Sequence, residues 1–183
     1  MNNVLGLKPK ERIIAVATKL FYENDIHSIG VDRISEEARV SKRTLYKHFE
    51  NKEKLAAHCL ELQVKDWLDE YVTGSNLDPK AKILNVFEAL NKKAQLPGFQ
   101  GCRFVNTGIE LRATHDEGYV VARAAKDGLL KFFKSQLEAL GHGNPSDVAQ
   151  QLVVLFDGSN AWFVIHGYFP ESTLPLVRDI ITR

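Results

Sequence analysis

Apolar residues recur at helical spacing along most of this chain, and no stretch alternates between apolar and polar residues as a strand does. The first such stretch runs from Lys10 to Asn24. Its apolar side chains at i, i+3, i+4 and i+7 spacing are Ile13, Ile14, Ala17, Leu20 and Phe21. Because this spacing places apolar side chains on one face of a helix, the pattern predicts an all-α fold of about nine helices.

The predicted helices divide into an N-terminal group and a larger remainder. Val31 to Arg39 and Ser41 to Phe49 are each too short to be stable alone in water, so we expect them to share one small core with the first helix. The remaining helices are predicted over Lys52 to Val72, Asp78 to Gln95, Phe104 to Arg112, Glu117 to Leu140, Asp147 to Tyr168 and Ser172 to Ile181. We therefore predict a three-helix domain over residues 1–51 and a larger helical bundle over residues 52–183.

The stretch from Gly30 to Phe49 has the pattern of a helix, a three-residue turn and a second helix. The side chains expected to face inward are Val31, Ile34, Ala38, Val40, Leu45 and Phe49. Ser41 is the predicted N-cap of the second helix, as Asp78 is for a later one, because their side-chain oxygens accept an N–H of the first turn. The outer face of the second helix carries Lys42, Arg43, Thr44, Lys47 and His48.

Positive charge is concentrated near the N-terminus. The net charge of the whole chain is +1, whereas residues 1–55 contain 11 Lys and Arg against 8 Asp and Glu. Lys and Arg in the first turn of a helix suit the phosphate-lined major groove of DNA, where Arg reaches O6 and N7 of guanine. A solvated charged surface is the alternative interpretation of such a basic run on its own.

Residues Ile13 to Phe21, Ile34 to Phe49 and Asn51 to Leu55 together resemble the signature of the TetR (tetracycline repressor) family. The resemblance covers residues 1–55 and implies that the second helix of the pair is a recognition helix. It implies that Lys42, Arg43 and Thr44 read bases, that Tyr46, His48 and Lys52 contact phosphate, and that Lys47 belongs to the same DNA-binding set.

Three positions depart from the family pattern. Arg39 and Arg43 stand where Gly is frequent, and Gly30 replaces a capping Ser or Thr. If Arg39 is left-handed, it is strained by roughly 1 kcal/mol relative to Gly. We expect the added arginines to alter base preference without abolishing binding, and a Gly N-cap costs little.

The stretch from Gly101 to Asn106, and Leu155 to Ser159 later, resemble one branch of these regulators more loosely. The resemblance implies a body that binds a small-molecule effector, and a homodimer formed through the last two helices. Polar candidates for effector binding cluster where apolar packing is otherwise expected, and they are Asn106, Glu110, Arg112 and His115. Candidate aromatic walls of the cavity are Trp67, Phe87, Phe104, Trp162 and Phe163. Ordinary core and surface positions are the alternative for each.

Three further residues have open interpretations. Asp157 has three interpretations: a buried acid that needs a hydrogen-bonding partner, a ligand contact, or part of a dimer face. We favour a hydrogen-bonded structural role or an interface role over ligand contact. Cys102, beside Arg103, is either a redox sensor with a lowered pKa or a plain buried thiol, and the buried thiol is the commoner case. Cys59 lies on the inward stripe of its helix and is expected to pack.

The composition restricts the class of protein. Hydrophobic residues make up 44% of the chain and charged residues 26%, which excludes disordered and fibrous classes. Two cysteines are too few for a disulfide scaffold, and the N-terminus lacks the pattern of a signal peptide. The longest apolar run, Leu152 to Phe169, contains Asp157, Asn160 and His166 and falls short of a membrane span. We therefore expect a cytoplasmic protein that does not enter a membrane.

The motifs of common enzymes are missing from the sequence. There is no nucleophile elbow, phosphate loop or dinucleotide fingerprint, and no histidine pair has metal-binding spacing. We therefore expect no catalytic residue, no cofactor and no metal site.

The expected function is transcriptional regulation by a homodimeric repressor, which binds a pseudo-palindromic operator in double-stranded DNA and is released by a small, partly apolar effector. A ligand-responsive activator of the same fold is an alternative. A helical protein-interaction module is another, but it has no reason to concentrate positive charge on one short helix.

Overall fold

The computed structural model describes residues 6–68, 77–114 and 116–182, which form nine α-helices and no strand. The helices are α1 (Pro9–Glu23), α2 (Val31–Glu37), α3 (Lys42–His48), α4 (Lys52–Leu68), α5 (Pro79–Ala94), α6 (Arg103–Glu110), α7 (Glu117–Ala139), α8 (Pro145–His166) and α9 (Thr173–Ile180). The predicted all-α class is confirmed. The predicted end of the fourth helix at Val72 lies outside the described residues.

The chain forms two compact units. The first contains residues 1–63 and 106–123, and the second contains residues 64–105 and 124–183. Each unit has its own cluster of buried apolar side chains. The domain boundary predicted at residue 51 stays a prediction.

The core of the first unit joins the three N-terminal helices, as predicted, and it also includes side chains of α4 and Leu111. Its most buried side chains, each at most 1% exposed, are Ile13, Ala17, Leu20, Ile34, Ala38, Leu45, Leu55 and Cys59. Val31 and Val40 are half-buried and pack against this cluster. Burying a Leu or Ile side chain contributes about 1.5–3 kcal/mol, so tertiary packing stabilises the seven-residue helices α2 and α3, which have little stability of their own.

Both predicted N-caps are confirmed. The hydroxyl of Ser41 accepts a hydrogen bond of 3.1 Å from the backbone N–H of Thr44 at the start of α3. The carboxylate of Asp78 accepts one of 2.9 Å from the N–H of Ala81, with Pro79 at the first position of α5. Each oxygen satisfies a backbone donor that the helix itself leaves unpaired.

The turn between α2 and α3 contains Arg39 in the left-handed conformation, so the condition on which its strain depended is met. Its φ is 52°, and among the described residues no other non-glycine residue has a positive φ. The turn is closed by a hydrogen bond of 3.0 Å from the N–H of Val40 to the carbonyl of Ser35. The Arg39 carbonyl also accepts a bond of 3.3 Å from the guanidinium of Arg12 on α1.

The second unit is built around aromatic side chains. Phe87 on α5 is fully buried, with its ring centroid 5.8 Å from that of Phe133 on α7 and 5.9 Å from that of Phe156 on α8. The buried hydroxyls of Ser159 on α8 and Thr173 on α9 lie 3.2 Å apart. Helix α8 is long and apolar enough to cross a membrane by length and composition alone, a test that core helices of soluble proteins also pass, and 33% of its most apolar window is buried within the protein.

Arg39→Gly is expected to raise the free energy of unfolding by about 1 kcal/mol, because Gly adopts the left-handed conformation without the steric cost of a Cβ. The backbone bonds of the turn are unchanged by this substitution. Urea denaturation at fixed protein concentration measures the effect. Arg33→Gly is the matched control, since the same replacement inside α2 should lower stability by about 1 kcal/mol. Equal destabilisation by both variants would contradict the strain assigned to Arg39.

Candidate nucleic-acid interface and effector cleft

Helix α3 has one buried face and one exposed basic face. Leu45 is fully buried, and Phe49, the residue that ends the helix, is 7% exposed. The predicted DNA-binding residues on the other side, Lys42, Arg43, Tyr46, Lys47 and His48, are exposed, and Thr44 is half-buried. The structure therefore brings six of the seven predicted DNA-binding residues together on one helix. Their contacts with DNA stay a prediction.

Two hydroxyls lie together at the N-terminus of α3. The side-chain oxygens of Ser41 and Thr44 are 2.9 Å apart, while the Ser41 oxygen also caps the helix. These bonds hold Thr44 in one orientation, beside the exposed side chains of the first turn. These bonds stabilise the backbone of the first helical turn, which carries Lys42 and Arg43.

Lys42 has an acidic partner that sequence reasoning missed. Its ammonium contacts the carboxylate of Asp32 in the first turn of α2, and both side chains are exposed. The hydrogen bond from Lys42 to Asp32, followed by the negative charge of Asp32, raises the pKa of the Lys42 ammonium. The two residues are on different helices, so no helical periodicity in the sequence signals their contact.

Lys52, the seventh predicted DNA-binding residue, is hydrogen-bonded to the loop between α1 and α2. Its ammonium donates to the carbonyl of Ile26 at 2.9 Å and to the carbonyl of His27 at 3.4 Å. An ammonium has three N–H donors, so these two bonds leave one for a phosphate. Lys52 therefore has a structural role in addition to the phosphate contact that remains predicted for it.

Glu110, for which effector binding stays a prediction, is engaged with the same loop. One oxygen of its carboxylate accepts a bond of 2.7 Å from the N–H of His27 and lies 2.8 Å from Nδ1 of the His27 ring. The Glu110 side chain is only 18% exposed. We call Lys52, His27 and Glu110 the His27 clasp, because the loop residue bonds both helix-borne side chains.

The other predicted effector-binding residues have varied environments. Phe87 is fully buried in the aromatic core, Phe104 is half-buried, and Trp162 is 40% exposed with its ring 4.1 Å from that of His166. Asn106 is exposed and belongs with Glu110 to the first unit, whereas the three aromatic residues belong to the second. The predicted binding roles stay predictions, and His115 lies outside the described residues.

The second unit contains a cleft of about 510 Å³. Its lining residues are Asn91, Gln95, Phe163, Gly167, Tyr168, Phe169, Pro170, Glu171 and Leu174. Sequence reasoning named only Phe163 among them. Most of the others are in the loop after α8, where no periodic pattern marks a shared surface. The lining combines aromatic side chains with two amides and one carboxylate.

Asp157 has the hydrogen-bonded structural role that was one of its open interpretations. Its carboxylate pairs with the ammonium of Lys126 on α7, and both side chains are largely buried. The Lys126 nitrogen also lies 5.2 Å from the centroid of the Phe156 ring. The charge of Asp157 is therefore compensated inside the second unit.

Neither cysteine has the environment of a reactive thiol. Burial raises the pKa of the Cys102 thiol, and the nearby charge of Lys126 opposes this effect only in part. The thiol form is favoured, so the structure supports a plain buried thiol over a redox sensor. Cys59 is 1% exposed, which confirms its predicted packing role.

The chain is similar to known bacterial regulators. Residues 13–59 match the family described as bacterial regulatory proteins, tetR family. The chain resembles the crystal structure of a TetR-type transcriptional regulator from Streptomyces avermitilis, with a TM-score of 0.85 and 32% sequence identity over 96% of this chain and 99% of that one. A TetR-family regulator from Streptomyces coelicolor has a TM-score of 0.84 and 26% identity, covering 95% of this chain and 94% of its own.

A curated relative matches a shorter part of the chain. An HTH-type transcriptional regulator from Staphylococcus aureus is 28% identical over 66 residues, which is 36% of this chain and 36% of that protein.

Glu110→Ala is expected to lower the free energy of unfolding by about 1–2 kcal/mol, because it removes the charged acceptor of two His27 contacts. Thermal or urea denaturation measures the loss. Glu61→Ala is the matched control, since Glu61 is 61% exposed and its 3.7 Å pair with His58 is worth at most about 0.5 kcal/mol. If the two variants have the same stability, the His27 clasp does not hold the loop.

Proposed function

We propose that this chain, which belongs to the TetR family of bacterial transcriptional regulators, is a homodimeric repressor that binds operator DNA and leaves it when a small molecule binds. The observation that carries the proposal is the exposed basic face of α3, held by a buried core on one side and by a capped turn at its start. We place the protein in the cytoplasm, where its DNA is accessible.

Recognition of DNA follows from the chemistry of α3. In this proposal its N-terminal residues enter the major groove, where Arg43 and Lys42 donate to guanine O6 and N7 and Thr44 contacts a neighbouring base. Tyr46, Lys47 and His48 are exposed on the same helix, and in this proposal they contact phosphate together with Lys52. The phosphate contacts supply affinity and register, while the first turn of the helix supplies sequence preference.

A second copy of the chain is proposed to cover the outward stripe of α8. Val154 and Ile165 are 71% and 75% exposed, and Gly158 and Ala161 between them are also exposed. A Cβ added at Gly158 would meet nothing within 4 Å. Large apolar side chains that flank small ones allow two helices to pack closely, so the stripe suits a twofold contact with itself. A dimer presents two recognition helices to a pseudo-palindrome.

The effector is proposed to bind in the helical body. The cleft of about 510 Å³ has the volume of a small-molecule site, and its mixture of aromatic rings, amides and Glu171 suits a partly apolar ligand with a polar or cationic group. Two regulators of this fold have been crystallised with a ligand. The one from Saccharomonospora viridis is in complex with choline, and the one from Bacillus subtilis is in complex with stearoyl-CoA. Loss of operator binding on adding a compound is the measurement that identifies an effector.

Selection from random or genomic duplex DNA with the purified protein is expected to enrich a pseudo-palindrome with half-sites about one helical turn apart. Lys52→Ala should weaken binding to every duplex and make the slope of log affinity against log salt shallower by about one unit. Arg43→Ala should change the enriched sequence instead, because its guanidinium is proposed to read a base.

Lys134→Ala is the charge-matched control for this experiment, since it removes one exposed positive charge from the second unit. It should leave both slope and sequence unchanged. If Lys52→Ala lowers affinity without changing the salt slope, Lys52 acts only through its bonds to the loop. If the wild-type protein enriches no sequence and shows no salt-dependent binding, the proposed function is wrong.

Ile165→Asp is expected to convert a dimer of twice the 20.6 kDa chain mass into a monomer, because it places a charge in a buried apolar contact. Light scattering during size exclusion measures the mass, and operator affinity should fall with it although α3 is unchanged. Val120→Asp is the control, since Val120 is 59% exposed on α7 in the first unit. A monomeric wild-type protein that still binds the full operator would contradict the proposed interface.

A further inference from the structure

The first residue of the recognition helix is held by an acidic side chain. Lys42 begins α3, and its ammonium contacts the carboxylate of Asp32, which stands in the first turn of α2. We propose that Asp32 is a specificity-determining residue, which restrains Lys42 and thereby weakens binding to non-operator DNA. This inference rests on the proposed function, because it assumes that α3 contacts DNA.

The contact is set by the geometry of the helix pair. The left-handed Arg39, the bond from Val40 to Ser35 and the Ser41 cap fix the turn that separates α2 from α3. The ion pair between Lys42 and Asp32 therefore links α3 to α2 across this fixed turn. A second ion pair of α2, from Arg33 to Glu37 at 3.0 Å, is an i,i+4 contact within one helix and does not reach α3.

The effect of Asp32 differs between operator and non-operator DNA. Non-specific binding depends on cations that meet phosphates and release counterions. A lysine already paired with a carboxylate contributes less to this release, and the carboxylate itself repels a nearby phosphate. In a non-operator complex the pair stays closed, so Lys42 adds little and Asp32 opposes binding.

In an operator complex the ammonium has a better partner. A hydrogen bond from Lys42 to a guanine edge in the desolvated groove outweighs an exposed ion pair, so Lys42 turns from Asp32 to the base. The Asp32 carboxylate therefore lowers the affinity for non-operator DNA more than the affinity for the operator. This is specificity by a repulsive element, in addition to attraction by the base reader.

Asp32→Asn keeps the size of the side chain and removes its charge. We expect the affinity for a non-operator duplex to rise about threefold, because binding to phosphate no longer has to break one exposed ion pair. The salt slope on that duplex should become steeper by about one unit, because Lys42 is then available to a phosphate. Operator affinity should rise less, so the ratio of operator to non-operator affinity should fall.

The same substitution in a Lys42→Ala background completes a double-mutant cycle. There Asp32→Asn should leave the salt slope unchanged, because the lysine through which it acts is absent. Glu36→Gln makes the same change of net charge on α2 at an exposed carboxylate that forms no ion pair with the described residues, and its effect on the slope should be less than half that of Asp32→Asn. Thermal melting of each variant verifies that the fold is retained.

Two results would overturn the inference while wild-type operator binding stays intact. One is an unchanged salt slope for Asp32→Asn. The other is an equal steepening in the presence and absence of Lys42, which would mean that Asp32 acts through its own charge alone. Failure of the wild-type protein to bind any duplex is a separate result, which removes the proposed function itself.

Discussion

The geometry of α2 and α3 depends on the buried cluster around Ile34 and Leu45. Each of these helices has seven residues, too few to persist alone in water. Both side chains are fully buried against α1 and the start of α4, so the packing of this core sets the angle between the two helices. That angle in turn decides which charges meet outside the core, including the contact of Lys42 with Asp32.

The polar contacts of the first unit add a second level of order. His27, in the loop between α1 and α2, bonds Lys52 through its carbonyl and Glu110 through its N–H and ring. A loop residue that bonds two separate helices has fewer conformations available. Less conformational entropy is therefore lost when the unit binds DNA. A basic residue in such a position can be part of the scaffold and of the binding surface together.

The features that the sequence predicted are those with local causes. Helical spacing located the helices, and short-range chemistry located the caps at Ser41 and Asp78. At Arg39 sequence reasoning supplied only the cost of a left-handed conformation, and the structure supplied the conformation itself. The contact of His27 with Glu110 joins residues 83 positions apart, and the contact of Asp32 with Lys42 crosses a turn. Such contacts depend on tertiary angles that no periodic pattern encodes. The cleft beside Tyr168 was missed for the same reason, since loop residues form most of its wall.

The interior of α8 has a consequence for the newly made chain. Asp157, Ser159 and Asn160 lie near the middle of a 22-residue apolar helix, where Asp157 pairs with Lys126 and the Asn160 amide donates to the Phe156 carbonyl at 2.8 Å. On insertion scales an aspartate at the centre of a helix costs about 2.5–3.5 kcal/mol on transfer into lipid. The polar residues that order the folded core thus also oppose insertion of this segment into a lipid bilayer before the chain has folded.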